Sequence, residues 1–343
     1  MELHNLVIQR NIPRIRDLIL SRSVDLDQVD QCGNTPLHLA VYILDLDLVK
    51  FLLQNDADVN MQDHMGNTPL HIASIFNSDP RKYMNLSRYN DVIIDFMYEL
   101  HDTNYDHTTE IINSLLFMSN DANYNKQNNI GDTPLHIACI EGNKEAFNVI
   151  LNDDDVDVNI QNNIGNTPLH VFMKKCTSSD LIKILNAGAD VKIKNNRGNT
   201  ALHLSVIFPD NLNVTKLLIK GGSSILLKNK QSKLPIDIAR ESKNTVAVNM
   251  LGTLMNMIAL DSRTTTLDLS DYNKHDISIA ERSELFNKEL GVASFGKFNN
   301  PFALSNAFGT GISDNSDNNS SDSSESDSSD NDSVSSDFDS DSD

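Results

Sequence analysis

Apolar side chains along this chain come in short runs at helical spacing, and the runs come in pairs. Leu37, Leu39 and Ala40 form the first member of one pair, and Leu48-Val49-Lys50-Phe51-Leu52-Leu53 forms the second after a short break. A polar stretch then leads through Asp58-Val59-Asn60 to Asp63-His64-Met65-Gly66 before the next apolar run begins. Apolar residues at helical period predict amphipathic helices, and Gly among polar residues predicts a tight turn. The unit is therefore helix, turn, helix, hairpin loop. It recurs: Thr-Pro-Leu-His stands at Thr35–His38, Thr68–His71, Thr133–His136 and Thr167–His170, with Thr200-Ala201-Leu202-His203 as a further copy carrying one change. The intervals between successive threonines are 33, 65, 34 and 33.

Each quartet has a physical logic. The threonine hydroxyl can accept a hydrogen bond at a helix N-terminus, and proline fits the first helical position, where its missing N–H costs nothing. Gly33, Gly66, Gly131, Gly165 and Gly198 precede the threonine by two residues, where a tight turn wants positive φ. Neither helix of a unit can bury its apolar stripe alone, so the core has to form between stacked units. A period near 33 that opens on this quartet resembles the ankyrin repeat family. The resemblance implies an all-α ankyrin-repeat solenoid of helix-turn-helix units joined by β-hairpin loops.

The register predicts seven units: 1–29, 30–62, 63–127, 128–161, 162–194, 195–228 and 229–258. In the first, Val24-Asp25-Leu26-Asp27 matches Ala57-Asp58-Val59-Asn60, and in the last Leu234-Pro235-Ile236-Asp237-Ile238-Ala239 takes the place of the quartet. The spacing of 65 predicts an insertion over 77–109, because no echo of the quartet survives near position 100. A whole unit that lost its quartet is the alternative. Ile111-Ile112-Asn113-Ser114-Leu115-Leu116 resumes the register. The family pattern also wants Gly between the helices and after the second one. Here Leu44, Asn77, Cys176 and Pro209 stand at the first place and Asp56 and Asp121 at the second, at some cost in rigidity.

Composition narrows the function. Asp and Glu number 48 against 28 Lys and Arg, a net charge of −20, which argues against direct nucleic-acid binding and favours basic proteins or divalent cations as partners. Cys32, Cys139 and Cys176 show no paired spacing, as expected of free thiols in a reducing compartment. No apolar run approaches the ~20 residues of a bilayer span, and the Met-Glu-Leu-His start lacks the order of a secretion signal. These features predict an intracellular, cytoplasmic protein without membrane insertion, with the nucleus left open. Abundant Asn, Asp and Ile with no Trp is the bias of an AT-rich genome, such as that of large DNA viruses or intracellular bacteria.

His38, His71, His136, His170 and His203 invite a metal or catalytic reading. The resemblance implies instead that each bonds the hairpin backbone beside it. Stacked units would also hold the imidazoles too far apart for bonds near ~2 Å to one metal. No Walker loop, GxSxG, HExxH or paired-carboxylate arrangement occurs. A non-enzymatic chain with no cofactor is expected. In ankyrin proteins the hairpin tips and the last residues of the first helix line a concave face that grips partner proteins. Those positions here are His64, Met65, Ile130, Ile164 and Arg197 at the tips, and Tyr42, Ile43, Ile75, Phe76, Ile140, Lys174, Lys175, Ile207 and Phe208 at the helix ends. Exposed apolar pairs tend to mark protein-binding patches.

Two further resemblances concern modification and trafficking. Asn60 and Asn159 each lie eight residues after a Leu and directly after an acidic-apolar pair. This resembles the site of the asparaginyl hydroxylase that modifies many ankyrin proteins, although the pattern also belongs to the repeat itself. Asn300-Pro301-Phe302 resembles the tripeptide bound by EH endocytic adaptor domains.

Beyond the repeats, 259–312 reads as a linker region with one candidate helix near 277–290. Ser313–Asp343 is almost wholly serine and acid, with 14 Ser, 11 Asp or Glu and only 6 others. It cannot bury an apolar core and is expected to be a disordered acidic tail. Ser324, Ser329, Ser336 and Ser340 each have an acidic residue three positions on, which resembles the site of acidophilic casein-type kinases. The leading expectation is an adaptor or scaffold that grips a protein by its concave face. IκB-like inhibitors also join such repeats to an acidic segment, and that loose similarity implies an alternative: a constitutive inhibitor whose tail masks a basic surface. A targeting subunit or secreted effector is the remaining alternative.

Overall fold

A computed structural model of the protein describes residues 2–21, 23–75, 107–118 and 122–264, the last six of them for backbone only. The helices fall in pairs: α1 Glu2–Ile8 with α2 Ile12–Leu20, α3 Pro36–Tyr42 with α4 Leu46–Leu53, and α5 Pro69–Ala73 with α6 Thr108–Phe117. There follow α7 Pro134–Glu141 with α8 Lys144–Leu151, and α9 Pro168–Phe172 with α10 Ser178–Asn186. The last pairs are α11 Ala201–Ser205 with α12 Leu212–Lys220, and α13 Pro235–Glu241 with the long α14 Thr245–Thr264. A 3-10 turn at Pro209–Asn211 leads into α12. No residue among those described lies in a β-strand.

The first helix of each pair packs on the first helix of the next, from α1 through α3, α5, α7, α9 and α11 to α13. Among second helices α4, α6 and α8 form a matching row, as do α10 and α12. The helices are only 5 to 10 residues long before α14, too short to persist alone in water. They are held by one continuous apolar core that includes Leu37, Leu48, Leu70, Leu115, Leu135, Phe147, Leu169, Leu202, Leu218 and Ile236.

The quartet sets each helix start. Thr35 is extended, with φ −81° and ψ 165°, and its Oγ1 accepts the His38 N–H while the His38 ring accepts the Thr35 N–H. The same reciprocal cap recurs at Thr68 and Thr133, where two N–H groups that would otherwise lack partners are satisfied. At Thr167 and Thr200 only half of it remains: the ring of His170 or His203 accepts the threonine N–H at 3.2 Å. In the last described unit Asp237 replaces the histidine and accepts the Leu234 N–H at 3.0 Å.

The stack runs without interruption past the spacing of 65. His71 Nε2 donates to the carbonyl of Asp132 at 3.0 Å, just as His38 Nε2 donates to Asn67 at 3.0 Å. α5 touches α7 directly, and α6 lies between α4 and α8. Among the described residues no helix pair separates them. Residues 77–106 lie outside those described.

Chain reversal uses left-handed backbone in four of the described helix pairs, and among them glycine supplies it only at Gly142, with φ 71°. Arg10, Leu44 and Lys243 take the equivalent conformation at φ 53°, 54° and 58°, and Asp56 does so after α4 at 66°. Each costs about 1–2 kcal/mol relative to a glycine that fits. Cys176 and Pro209 avoid the penalty, because the turns before α10 and α12 use other backbone conformations.

Candidate functional site: the row of hairpin tips

Each hairpin closes on itself and then bonds to its neighbour. Within one, the Asn128 N–H donates to the Asp132 carbonyl at 2.9 Å, and Asn128 Oδ1 accepts the N–H groups of Ile130 and Asp132 at 3.2 and 3.0 Å. Asp30, Asp63, Asn162, Asn195 and Asn229 occupy the same place, because a short side-chain oxygen mimics a backbone turn. Between hairpins, N–H groups of His64, Asn129, Asn163, Asn196 and Lys230 donate to carbonyls of Cys32, Met65, Ile130, Ile164 and Arg197 at 3.0–3.1 Å. Amide side chains reinforce this. Asn162 Nδ2 donates to Asp132 Oδ1 at 2.7 Å, and Gln127 Nε2 bridges the carbonyls of Gly131 and Gln161 at 2.6 and 3.0 Å. The tips are therefore rungs at fixed spacing.

The turn glycines admit this closeness. A Cβ on Gly131, at φ +80°, would stand 2.6 Å from the backbone nitrogen of Asn163. Gly33, Gly66, Gly165 and Gly198 meet the next rung at 2.5–2.6 Å in the same way.

Behind the rungs lies the histidine row. In His38, His71, His136 and His170, Nδ1 accepts the threonine N–H and Nε2 faces the carbonyl of the next unit at 2.9–3.0 Å. That network assigns the proton to Nε2 and occupies both ring nitrogens, so none is left for a metal. Burial lowers the pKa of His38, His71 and His136 to about 4, with the carbonyl bond opposing it. His170 is lowered for the same reason. His203 is also lowered to about 4, and its Nε2 has no hydrogen-bond partner, although the Lys233 carbonyl is near enough to oppose the shift. Among the described residues no cluster of His, Cys, Asp or Glu could hold a metal ion. No described helix is long and apolar enough to cross a membrane.

Of the residues expected to face a partner, three stand out in geometry. Met65, Ile130 and Ile164 occupy one position on three consecutive rungs and are 39%, 58% and 62% exposed. Exposed His64 and Arg197 flank that row. Ile207 and Lys174 are exposed at their helix ends, and Ile140 is half-buried. Lys175 is tied down: its Nζ donates to the Glu141 carbonyl at 2.6 Å and lies 3.9 Å from that residue's carboxylate. Phe208 is half-buried against the core.

The structure corrects three of the expected contact residues. Tyr42 is 3% exposed, Ile75 2%, and Ile43 fully buried. Ile43 caps α3, and left-handed Leu44 behind it turns the chain so that both side chains enter the core. None of the three offers an open surface. Phe76, Ser324, Ser329, Ser336, Ser340 and the Asn300-Pro301-Phe302 tripeptide lie outside the described residues. Asn60 and Asn159 are half-buried and engaged: Asn60 Oδ1 accepts the Asn123 N–H at 2.9 Å, and Asn159 Oδ1 accepts the Asp190 N–H at 2.8 Å. Asn159 Nδ2 also donates to the Gly188 carbonyl at 3.0 Å.

One member of the histidine row escaped the sequence reading. His4 Nε2 lies 2.9 Å from the Asn34 carbonyl, the bond its counterparts make one unit later. Leu3-His4 precedes Leu37-His38 by one repeat period. That spacing was the available signal, hidden by the loss of Thr and Pro before it.

The family model described as ankyrin repeats in three copies matches residues 3–84 and 100–177, and the model described as ankyrin repeat matches 197–230. Among solved structures the chain is similar to the ankyrin repeat domain of Bcl-3, whose title calls it a unique member of the IkappaB protein family. Identity is 23% over 70% of this chain and 93% of that one, with a TM-score of 0.55, a likeness of fold. No curated protein sequence matches significantly.

Proposed function

Since this chain belongs to the ankyrin repeat family, we propose that it is a non-enzymatic scaffold that grips a partner protein along its hairpin tips. The observation that carries this reading is the ridge of Met65, Ile130 and Ile164. Three large apolar side chains stand exposed on consecutive rungs whose spacing is held by backbone hydrogen bonds. Exposed apolar groups in register favour a protein surface over water, and rigid rungs reduce the entropy lost on binding. Ile140, Lys174 and Ile207, at the ends of α7, α9 and α11, extend the contact.

Replacing Met65, Ile130 and Ile164 together by Ser tests the reading. These side chains are outside the core, so far-UV circular dichroism and the melting temperature should hold, while affinity for the captured partner should fall by tenfold or more, roughly one hot-spot energy. Unchanged affinity in a folded triple variant would move the binding surface elsewhere.

A second reading rests on the density of carboxylates in Ser313–Asp343, where Asp and Glu number 11 and Lys and Arg are absent. In an inhibitor of this kind the tail masks a basic surface on the partner and speeds association at long range. Deleting 313–343 should then slow association at low salt and hardly at all at roughly 1 M salt. An association rate indifferent to the deletion removes this reading and leaves the scaffold intact.

A further inference from the structure

Charge is unevenly placed along the stack. Residues 162–258 carry 13 Lys or Arg against 5 Asp or Glu, on a chain of net charge −20. Five of these bases sit on two neighbouring rungs, 191–199 and 224–232, and neither segment contains Asp or Glu. Lys192, Lys194, Arg197, Lys228 and Lys230 are all exposed there. The two rungs are in direct contact: the Lys230 N–H donates to the Arg197 carbonyl at 3.0 Å, and Lys194 Nζ reaches the Lys228 carbonyl at 3.3 Å. Among the described residues none of the five makes an ion pair. The neighbouring bases Lys233 and Arg240 are taken by Glu241 at 2.7 Å and Asp237 at 2.9 Å. Asp190 borders the edge, and its carboxylate accepts the Lys192 N–H at 2.8 Å. The opposite end of the row is acidic, with Asp25, Asp27 and Asp30 before the first tip and Asp58 and Asp63 before the second.

Five cations held together by a rigid backbone repel one another, and a counter-charge relieves that repulsion. We propose that this edge docks an acidic segment of the partner protein, one with several Asp or Glu side chains in succession. The proposal rests on the scaffold reading, because Arg197 continues the row of Met65, Ile130 and Ile164 by one rung. It adds the chemistry and the orientation: the partner's acidic residues lie toward the last units and its apolar residues toward the middle ones.

Net charge alone selects the opposite partner, a basic one. Nearby charges decide, since exposed charges beyond about 8–10 Å are screened at physiological salt. A nucleic acid fits the edge less well. Neither rung carries an aromatic residue on which a base could stack, and the acidic remainder of the chain opposes a long polyanion.

Fluorescence anisotropy of labelled octaglutamate, added to the full chain, tests the proposal, with a single-stranded DNA octamer as the second probe. Octaglutamate is expected to bind at low salt. R197E/K230E should weaken it by about tenfold, with the difference closing toward roughly 1 M salt. R197Q/K230Q should show a smaller loss, and unchanged melting temperatures establish that both variants are folded. Replacing Met65, Ile130 and Ile164 by Ser should leave octaglutamate binding intact, so failure of the apolar ridge and failure of the basic edge are read separately. Absence of octaglutamate binding, equal binding by R197E/K230E, or tighter binding of the DNA octamer overturns the proposal.

Discussion

Gly131→Ala should be among the most damaging single-methyl additions in this protein, for two separable reasons. The first is local. Gly131 holds φ +80°, and an L-residue with a Cβ is disfavoured there by about 1–2 kcal/mol. The second comes from the next unit. The added Cβ would lie 2.6 Å from both the backbone nitrogen and Oδ1 of Asn163, and 3.0 Å from the Cα of Asn162. Backbone atoms cannot rotate aside, so the rungs must part. Two hydrogen bonds then stretch, the Asn163 N–H to the Ile130 carbonyl at 3.1 Å and Asn163 Nδ2 to the Asn129 carbonyl at 2.9 Å. At about 0.5–1.5 kcal/mol each, they bring the total to about 2–5 kcal/mol, a large part of the 5–15 kcal/mol typical of a domain.

Gly188→Ala is the matched control. Gly188 has φ +93° with nothing within 4 Å of the new Cβ, so only the local penalty of about 1–2 kcal/mol applies. Equilibrium urea unfolding followed by far-UV circular dichroism measures both. Hydrogen exchange locates the damage: in a stack coupled through nearest neighbours, the Asn163 amide should lose protection before amides of α1 or α13. Equal losses in the two variants, or exchange that rises evenly along the chain, would refute the view that the glycines serve rung-to-rung contact.

Two other outcomes follow from the same geometry. His38, His71, His136 and His203 have pKa values near 4 when folded and 6.5 as the ordinary value, so the unfolded chain binds more protons between those limits. Their contribution is fully present above pH 6.5 and is lost as pH falls toward 4, up to about 3 kcal/mol for each ring taken alone. The urea midpoint should therefore drop between pH 7 and 5, and a flat profile would mean the rings are not held neutral. Burial raises Asp63 and Asp132, which pull in the other direction at the acid end, so the fall should flatten there. Asp56→Gly removes an exposed side chain from φ 66°; glycine's greater freedom in the unfolded chain offsets part of the relief, so stability should rise by about 0.5–1 kcal/mol, seen as a higher melting temperature.

The sequence alone determined the repeating unit. Helix pairing, threonine caps and turn glycines are local chemistry, decided by residues within a few positions of one another, and the quartet writes them out at each recurrence. The paired helices, the solenoid they build and the family could be read from it. Exposure could not. Tyr42, Ile43 and Ile75 occupy the same kind of position as Lys174 and Ile207, yet the first three are buried and the last two are open. What covers a helix end is set by the neighbouring loops and by whether left-handed residues such as Leu44 turn the chain inward, neither of which is a property of the position itself. His4 was hidden because its role survives in the carbonyl it reaches, 30 residues away, while its local motif has decayed. The basic edge was masked by the net charge of the whole chain. Only stacking places Arg197 and Lys230 on touching rungs, and charges act on a partner through distance rather than through totals.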